Sequence, residues 1–282
     1  MNRAPYWLAG PGVVAALALV ALPLAMTFAL SFQPFSSSGG VGPGFTVENY
    51  VQVATDDYYL TIFLRTFKLS LLVTAVAVLI GVPEAYVLSR LSPGMRALSL
   101  VIVLGPLLIS VVVRTLGWSI LFGNTGIINT ILLASGLVSA PIRLMFSFTG
   151  MAIALVHVLV PFMVLSVWAS LQKLDPATEQ AAESLGAGPV TIMTRIVLPQ
   201  VLPGVLSGGL IVFALAASAF ATPAIIGGRR LKVVPTTIYD EFLSNLNWPL
   251  GAALSLILLV IVLTVSLGAN KYLERRFSQV FQ

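Results

Sequence analysis

Charged residues, cysteine and histidine are scarce in this chain of 282 residues. It has no cysteine and one histidine, and Asp, Glu, Lys and Arg together make up 9% of it. The lack of cysteine excludes disulfide bonds and thiolate metal sites, and one histidine with ten scattered acids leaves too few ligands for a metal centre. We therefore predict no bound metal. Soluble domains carry about 25% charged residues, so the composition indicates an integral membrane protein.

Motifs of catalysis are also missing. The sequence has no GxxxxGK[ST] motif, and no lysine directly follows a glycine, so the chain is predicted not to bind ATP phosphates itself. No GxSxG motif accompanies the single His157, which argues against nucleophilic catalysis. The net charge of +5 arises from basic residues spread over many loops, which does not favour nucleic-acid binding. We predict a non-catalytic protein without a cofactor of its own.

What the sequence does contain is a series of long apolar segments. A helix rises 1.5 Å per residue and the hydrocarbon core of a bilayer is about 30 Å thick, so each of six segments is long enough to cross it. The first exceeds the apolar core of roughly 7 to 15 residues in a signal peptide, so we predict an uncleaved anchor. The chain is predicted to be an all-α polytopic membrane protein, one domain over 1–282, with spans at 7–32, 66–88, 97–122, 144–171, 201–226 and 248–270.

Between the spans, we expect a partly folded loop from Gln33 to about Arg65 and a short interfacial helix at Ile127–Val138. Six spans place both termini on one side of the membrane. Lysine and arginine are denser in the loops on that side than in those opposite, so the positive-inside rule predicts cytoplasmic termini.

A polar segment, 174–203, interrupts the apolar second half of the chain. Asp175 is a good N-cap, and Pro176 suits the first position of a helix. Gly186 is suited to end that helix in a left-handed conformation, and Pro189 to begin the next one. The sequence therefore predicts a helix, a tight turn and a second helix from about Val190 to Leu198-Pro199, within a cytoplasmic loop at 172–200.

The spacing within this segment resembles the "EAA" loop of permease subunits of binding-protein-dependent ABC importers. Gln180-Ala181-Ala182 is followed after three residues by Gly186 and after nine more by Ile196, Val197 and Leu198-Pro199. The acid of the motif is replaced by Gln180. The nearest acid, Glu179, lies one residue earlier, about 100° around a helix, so the salt bridge of the family acid is not carried over.

This resemblance implies a MetI-like permease fold in a bacterial cytoplasmic membrane. It implies a second, homologous permease, an ATPase dimer that binds ATP and Mg, an extracytoplasmic solute-binding protein and a lipid bilayer as partners. In the family the loop docks on the ATPase, and the residues that carry this role over are Asp175, Glu179, Gln180, Ala181, Ala182, Glu183, Gly186, Ala187, Ile196, Leu198 and Pro199.

Further stretches resemble the spermidine/putrescine-type branch, and within it the first of the two permease subunits. They lie at 45–50, 114–118, 124–129, 222–228 and 247–255. The branch is also similar to importers of opines, amino-acid-like compounds such as 4-aminobutyrate, phosphonates and ferric iron. A polyamine-like solute is the first choice that the resemblance implies, with these others open.

Three residues are candidates for a translocation path or gate: Arg114, Trp118 and Phe220. A guanidinium in the outer half of a span is costly in hydrocarbon, so Arg114 is expected to face protein or a water-filled cavity, or to reach the surface by snorkelling. Its charge would repel a polyamine and favours an anionic or zwitterionic solute, against the resemblance. We expect His157 to be buried and hydrogen-bonded to a neighbouring helix, and Glu84 to be interfacial.

Two other functional classes are open to a membrane protein of this composition. An ion-coupled secondary transporter needs intramembrane acids or broken helices near mid-bilayer, and five of the six predicted spans contain no Asp or Glu. A membrane scaffold without a transport role is compatible with the spans alone. The segment 174–203 distinguishes it from an importer subunit, because a scaffold does not need a docking loop.

Overall fold

The computed structural model describes the backbone of residues 4–36 and 38–276, and the side chains of 12–36, 38–175 and 177–271. This part of the chain is mainly helical, which confirms the all-α prediction; its only strands form a two-residue hairpin. The elements are α1 Ala4–Ser31, β1 Phe35–Ser36, β2 Gly40–Val41, α2 Glu48–Thr55, α3 Asp57–Arg90, α4 Pro93–Leu108, α5 Val111–Leu121, α6 Ile127–Ala134, α7 Phe148–Leu171, α8 Pro176–Ser184, α9 Pro189–Ile192, α10 Leu198–Ala217, α11 Val234–Leu243 and α12 Trp248–Arg276, with π-helical turns at Met193–Val197 and Pro223–Gly227.

Five uninterrupted helical rods in the described part of the chain are long and apolar enough to cross a membrane. They are α1, α3, α7, the rod from α9 through α10, and α12. The pair α4 and α5 passes the same test together, although it is bent by 96°. Counting that pair as one span gives the six spans that the sequence predicts, and α6 lies where the short helix at Ile127–Val138 was expected.

The second span begins earlier than predicted. The sequence placed a loop up to about Arg65, but α3 is helical from Asp57. Asp56 ends α2, and its Oδ1 accepts a hydrogen bond from the backbone N–H of Tyr58 at 2.8 Å. This bond satisfies a donor of the first turn of α3, so the helix can start before the apolar span itself.

The third span is not one straight helix over 97–122, as predicted. It consists of α4 and α5, and between them Ile109 and Ser110 have extended backbone angles. Pro106, in the last turn of α4, provides no amide hydrogen for the carbonyl of Ile102, which weakens the end of the helix. Such a proline explains a sharp bend, whereas the apolar character of 97–122 gives no sign of it.

The fifth span also departs from its predicted bounds of 201–226. The helix expected to end at Leu198-Pro199 continues through the π-helical turn Met193–Val197 into α10, which ends at Ala217. In a π-helical turn the backbone hydrogen bonds join residues five apart instead of four. Pro199, which has no amide hydrogen, can therefore follow this turn without ending the helix. The chain then leaves the helix before the second π-helical turn.

Helix α7 is the most buried of the five uninterrupted spans in the described part of the chain, with 61% of its apolar window buried, against none for α1. Its close neighbour is α10. A Cβ added at Gly204 would lie 2.6 Å from the carbonyl oxygen of Ser166, and one at Gly208 would lie 2.9 Å from the Cβ of Ser166. The GxxxG pair therefore lets two helices approach to backbone contact, as small residues do in membrane proteins.

The chain divides into two compact units. Of the described residues, one unit contains those up to Phe63 together with Val234–Ile261, and the other contains Leu64–Val233 and those from Val262 onward. In the first unit, Asn49 donates from Nδ2 to the carbonyl oxygens of Ser31 at 2.9 Å and Gln33 at 3.0 Å. These bonds satisfy carbonyls at the end of α1 and attach α2 to it.

Candidate functional site

Helix α8 begins as the sequence predicts. The Asp175 side chain accepts a hydrogen bond from the backbone N–H of Ala177 at 2.9 Å, and proline occupies the first turn. The carboxylate satisfies a backbone donor that has no partner within the helix, and its negative charge suits the N-terminal end of the helix dipole. The start of this helix is therefore fixed by local sequence.

The end of α8 is fixed equally well. Gly186 has a φ of +83°, which is the left-handed conformation expected for it. The N–H of Ala187 donates to the carbonyl of Ala182 at 3.0 Å, and the N–H of Gly186 donates to that of Glu183 at 2.9 Å. These two bonds form a Schellman motif, which sets the direction in which the chain leaves the helix.

The two sides of α8 differ in exposure. Glu179 and Ala182 are buried at 9% and 8% exposure, while Gln180, Ala181 and Glu183 are exposed. The outer side of the helix is therefore free for contact with another protein, as far as the described residues of this chain are concerned. The residue that replaces the motif acid, Gln180, lies on this outer side.

Glu179 forms an ion pair with Arg90, the last residue of α3. Sequence reasoning missed Arg90 and its neighbour Tyr86, whose hydroxyl lies 3.5 Å from Glu179 Oε2. A weak signal was present, because Tyr86 and Arg90 are four residues apart and share one face at the end of a helix. The acid beside the motif position thus has a partner in its own chain.

The remaining residues of the predicted docking loop lie in the turn after α8 and in the long rod that follows it. Ala187, Ile196 and Leu198 are half-buried against the core, and Pro199 is exposed. Ile196 belongs to the π-helical turn, and Leu198 and Pro199 open α10. These residues connect the loop to a span and do not lie on the outer side of α8.

Arg114 is buried within α5 and does not snorkel to a surface. Its Nη1 donates to the carbonyl oxygen of Pro106, in the last turn of α4. The same carbonyl accepts a hydrogen bond from the backbone N–H of Ile109 at 3.4 Å, and a cation at a helix C-terminus is favoured by the helix dipole. Arg114 therefore caps the broken end of α4, and its charge is partly offset within the chain. By itself it does not exclude a cationic solute.

A cavity of 420 Å³ lies among α4, α5, α7 and the residues that follow α10. Arg114 and Phe220 line it, with Ser218 and Thr222 as the other polar lining residues. Thr222 also exchanges a buried hydrogen bond with Thr115 of α5 at 3.1 Å, which sequence reasoning did not foresee. The cavity is mostly apolar and has no acidic lining residue.

Trp118 does not line this cavity. It lies one turn after Arg114 on α5, with its ring 4.9 Å from that of Phe122. Its Nε1–H donates to Nδ1 of His157 at 3.3 Å, so His157 has the expected hydrogen bond to a neighbouring helix. The expectation that His157 is buried was wrong, because its side chain is exposed on α7. Glu84, on α3, is half-buried.

Comparison with known proteins identifies relatives over most of the chain. The family described as "Binding-protein-dependent transport system inner membrane component" matches residues 97–279. The spermidine/putrescine transport system permease protein PotB of Haemophilus influenzae is 33% identical over 260 residues, which is 91% of each protein. PotB of Escherichia coli is 31% identical over 260 residues, 91% of this chain and 94% of that protein.

The fold is similar to that of a chain in a bacterial ABC transporter involved in the import of the acidic polysaccharide alginate. The TM-score is 0.77 with 19% sequence identity, and 97% of both chains is covered. At this identity the likeness concerns the fold alone. Because the family match covers more than half of the sequence, the chain belongs to the inner membrane components of binding-protein-dependent transport systems, and it is a permease subunit of an ABC importer.

Proposed function

We propose that this permease carries a polyamine-like solute across the bacterial inner membrane as one of two homologous permease subunits. The observation that supports this most strongly is the relationship to the two PotB proteins, which extends over 91% of the chain. The cavity beside α5 and α7 belongs to the solute path, with Arg114 and Phe220 in its lining. The capping of α4 by Arg114 is compatible with a cationic solute.

The energy for transport comes from a separate ATPase dimer. The capped helix α8, with its exposed Gln180 and Ala181, is the docking element for one ATPase subunit. When ATP closes the ATPases, they move α8, and the permease pair turns its cavity outward to receive solute from an extracytoplasmic binding protein. The chain itself supplies the docking helix and the path, and no catalytic group.

The topology can be tested by cysteine labelling, because the natural sequence has no cysteine. With cytoplasmic termini, Ser244→Cys, after α11, should react with a membrane-impermeant maleimide in intact spheroplasts. Gly188→Cys should react only after the membrane is permeabilised. Both positions are exposed in the structure, so accessibility within the chain does not limit the reaction. Labelling of Gly188→Cys from outside would reverse the proposed orientation.

The source of energy is tested by reconstitution. The purified permease alone should hydrolyse no ATP, whereas the complex with the second permease, the ATPase dimer and the binding protein should hydrolyse ATP faster when spermidine is present. Spermidine uptake into proteoliposomes should accompany hydrolysis. ATP hydrolysis by the purified permease would refute the assignment of ATP hydrolysis to a separate subunit. A binding protein that does not bind polyamines but binds an amino acid would refute the proposed solute.

A further inference from the structure

Three side chains at the end of α3 and on α8 form a compact cluster. Arg90 is paired with Glu179, and its Nη2 also lies 3.3 Å from the hydroxyl of Tyr86. That hydroxyl lies 3.5 Å from Glu179 Oε2, and the guanidinium stands 5.1 Å from the centre of the Tyr86 ring. Each member of the cluster thus contacts the other two, and the ring adds a cation–π contact to the ion pair.

The cluster holds the inner side of α8 against α3. The Glu179 side chain is 11% exposed, whereas that of Arg90 is 48% exposed. A carboxylate so far removed from water needs its partner, because an uncompensated buried charge is strongly unfavourable. A half-exposed surface pair alone would contribute little. The buried acid therefore makes the attachment of α8 to α3 dependent on Arg90.

Helix α3 also packs against α7, which lines the cavity. A Cβ added at Gly81 would lie 2.7 Å from Cγ of Met163, so α3 and α7 are in close contact one to two turns from Tyr86. Leu159 and Phe162, adjacent to Met163 on α7, line the cavity. Closely packed interiors transmit displacement, because they contain little free volume to absorb it.

We propose that the cluster of Arg90, Glu179 and Tyr86 is the link through which movement of α8 reaches the membrane helices. Arg90 and Glu179 are then positioning residues for transport, and the outer side of α8 remains free for the ATPase. This rests on the proposed function, since it requires an ATPase that acts on α8.

The test uses the reconstituted complex and compares Arg90→Gln, Glu179→Gln and the exchanged pair Arg90→Glu with Glu179→Arg. Spermidine uptake and ATP hydrolysis are measured in the same proteoliposomes. Each single variant should lower the uptake per ATP hydrolysed by about fivefold, since residues along a coupling route change coupling by roughly 2- to 30-fold. The exchanged pair should recover most of the loss. ATPase association should be unchanged in all three variants.

The control is Lys271→Gln, which removes an exposed charge at the far end of α12 that forms no ion pair within the described residues. This variant should take up as much spermidine per ATP hydrolysed as the natural protein does. If a charge variant does not accumulate in the membrane, Tyr86→Phe provides the test, because it removes only the hydroxyl between the two charged groups. It should lower the spermidine uptake per ATP hydrolysed about twofold.

Three outcomes would overturn the proposal. The single variants could leave the spermidine uptake per ATP hydrolysed unchanged, the exchanged pair could take up no more spermidine per ATP than the single variants, or the single variants could lose the ATPase. In the last case the cluster would serve docking. If the permease without substitutions binds no ATPase, or if its complex takes up no spermidine, the proposed function is refuted instead. The two failures are therefore distinguishable.

Discussion

Gly186→Val is expected to abolish most solute uptake while the protein still accumulates in the membrane. Gly186 has a φ of +83°, and no atom outside Gly186 and its two chain neighbours lies within 4 Å of the position that a Cβ would occupy. The effect of the substitution is therefore conformational and not steric against a neighbour. The left-handed backbone conformation is less favourable by about 1–2 kcal/mol for a residue that has a Cβ than for glycine, and β-branched residues tolerate it least.

The consequence for transport follows from the Schellman motif. If residue 186 leaves the left-handed region, the bonds from Gly186 to Glu183 and from Ala187 to Ala182 are lost, and α9 leaves α8 in another direction. The docking surface is then misplaced although every span is intact. Uptake in proteoliposomes and co-purification of the ATPase measure the two effects, and both should fall by more than tenfold.

Gly186→Asn is the matched control at the same position. Asparagine adds a side chain of similar size but is tolerated in the left-handed region, so this variant should keep far more uptake than Gly186→Val. Gly186→Val with normal uptake and normal ATPase association, at normal expression, would mean that the loop is an ordinary connector. The docking role of α8 would then have to be abandoned.

The second large effect is expected for Gly204→Ala, in the contact between α7 and α10. The new Cβ would lie 2.6 Å from the carbonyl oxygen of Ser166 and 2.8 Å from Cβ of Ser170. The backbone of α7 cannot yield as a flexible side chain can, so the helices must move apart. Overpacking of this kind costs about 1–3 kcal/mol, which should appear as a lower melting temperature of the permease in detergent.

Gly209→Ala provides the comparison, because it lies on the same helix and receives the same methyl group. Its Cβ would meet only Cγ2 of Thr74 at 3.7 Å, which is an ordinary contact distance. Since alanine favours a helix over glycine by about 1 kcal/mol, this variant should be as stable as the natural protein or more stable. Equal melting temperatures for Gly204→Ala and Gly209→Ala would show that α7 and α10 are less closely packed than described.

The sequence alone determined those features that depend on residues close to one another in the chain. The N-cap at Asp175 and the left-handed Gly186 follow from interactions within about five residues, and the spans follow from the length of apolar runs. The family could be identified in the same way, because the motif from Gln180 to Pro199 is a local pattern. The small residues Gly204 and Gly208 also indicated a close helix contact.

Only the tertiary structure decided the features that join distant residues. The pairing of Arg90 with Glu179 connects positions 89 residues apart (179 − 90), and the bond from Thr115 to Thr222 connects positions 107 apart. Neither pairing can be predicted from a pattern along the chain, since each depends on how the helices pack. The break between α4 and α5 is similar, because proline within an apolar helix permits a bend, but the 96° angle and the hydrogen bond from Arg114 to Pro106 are visible only in the tertiary structure.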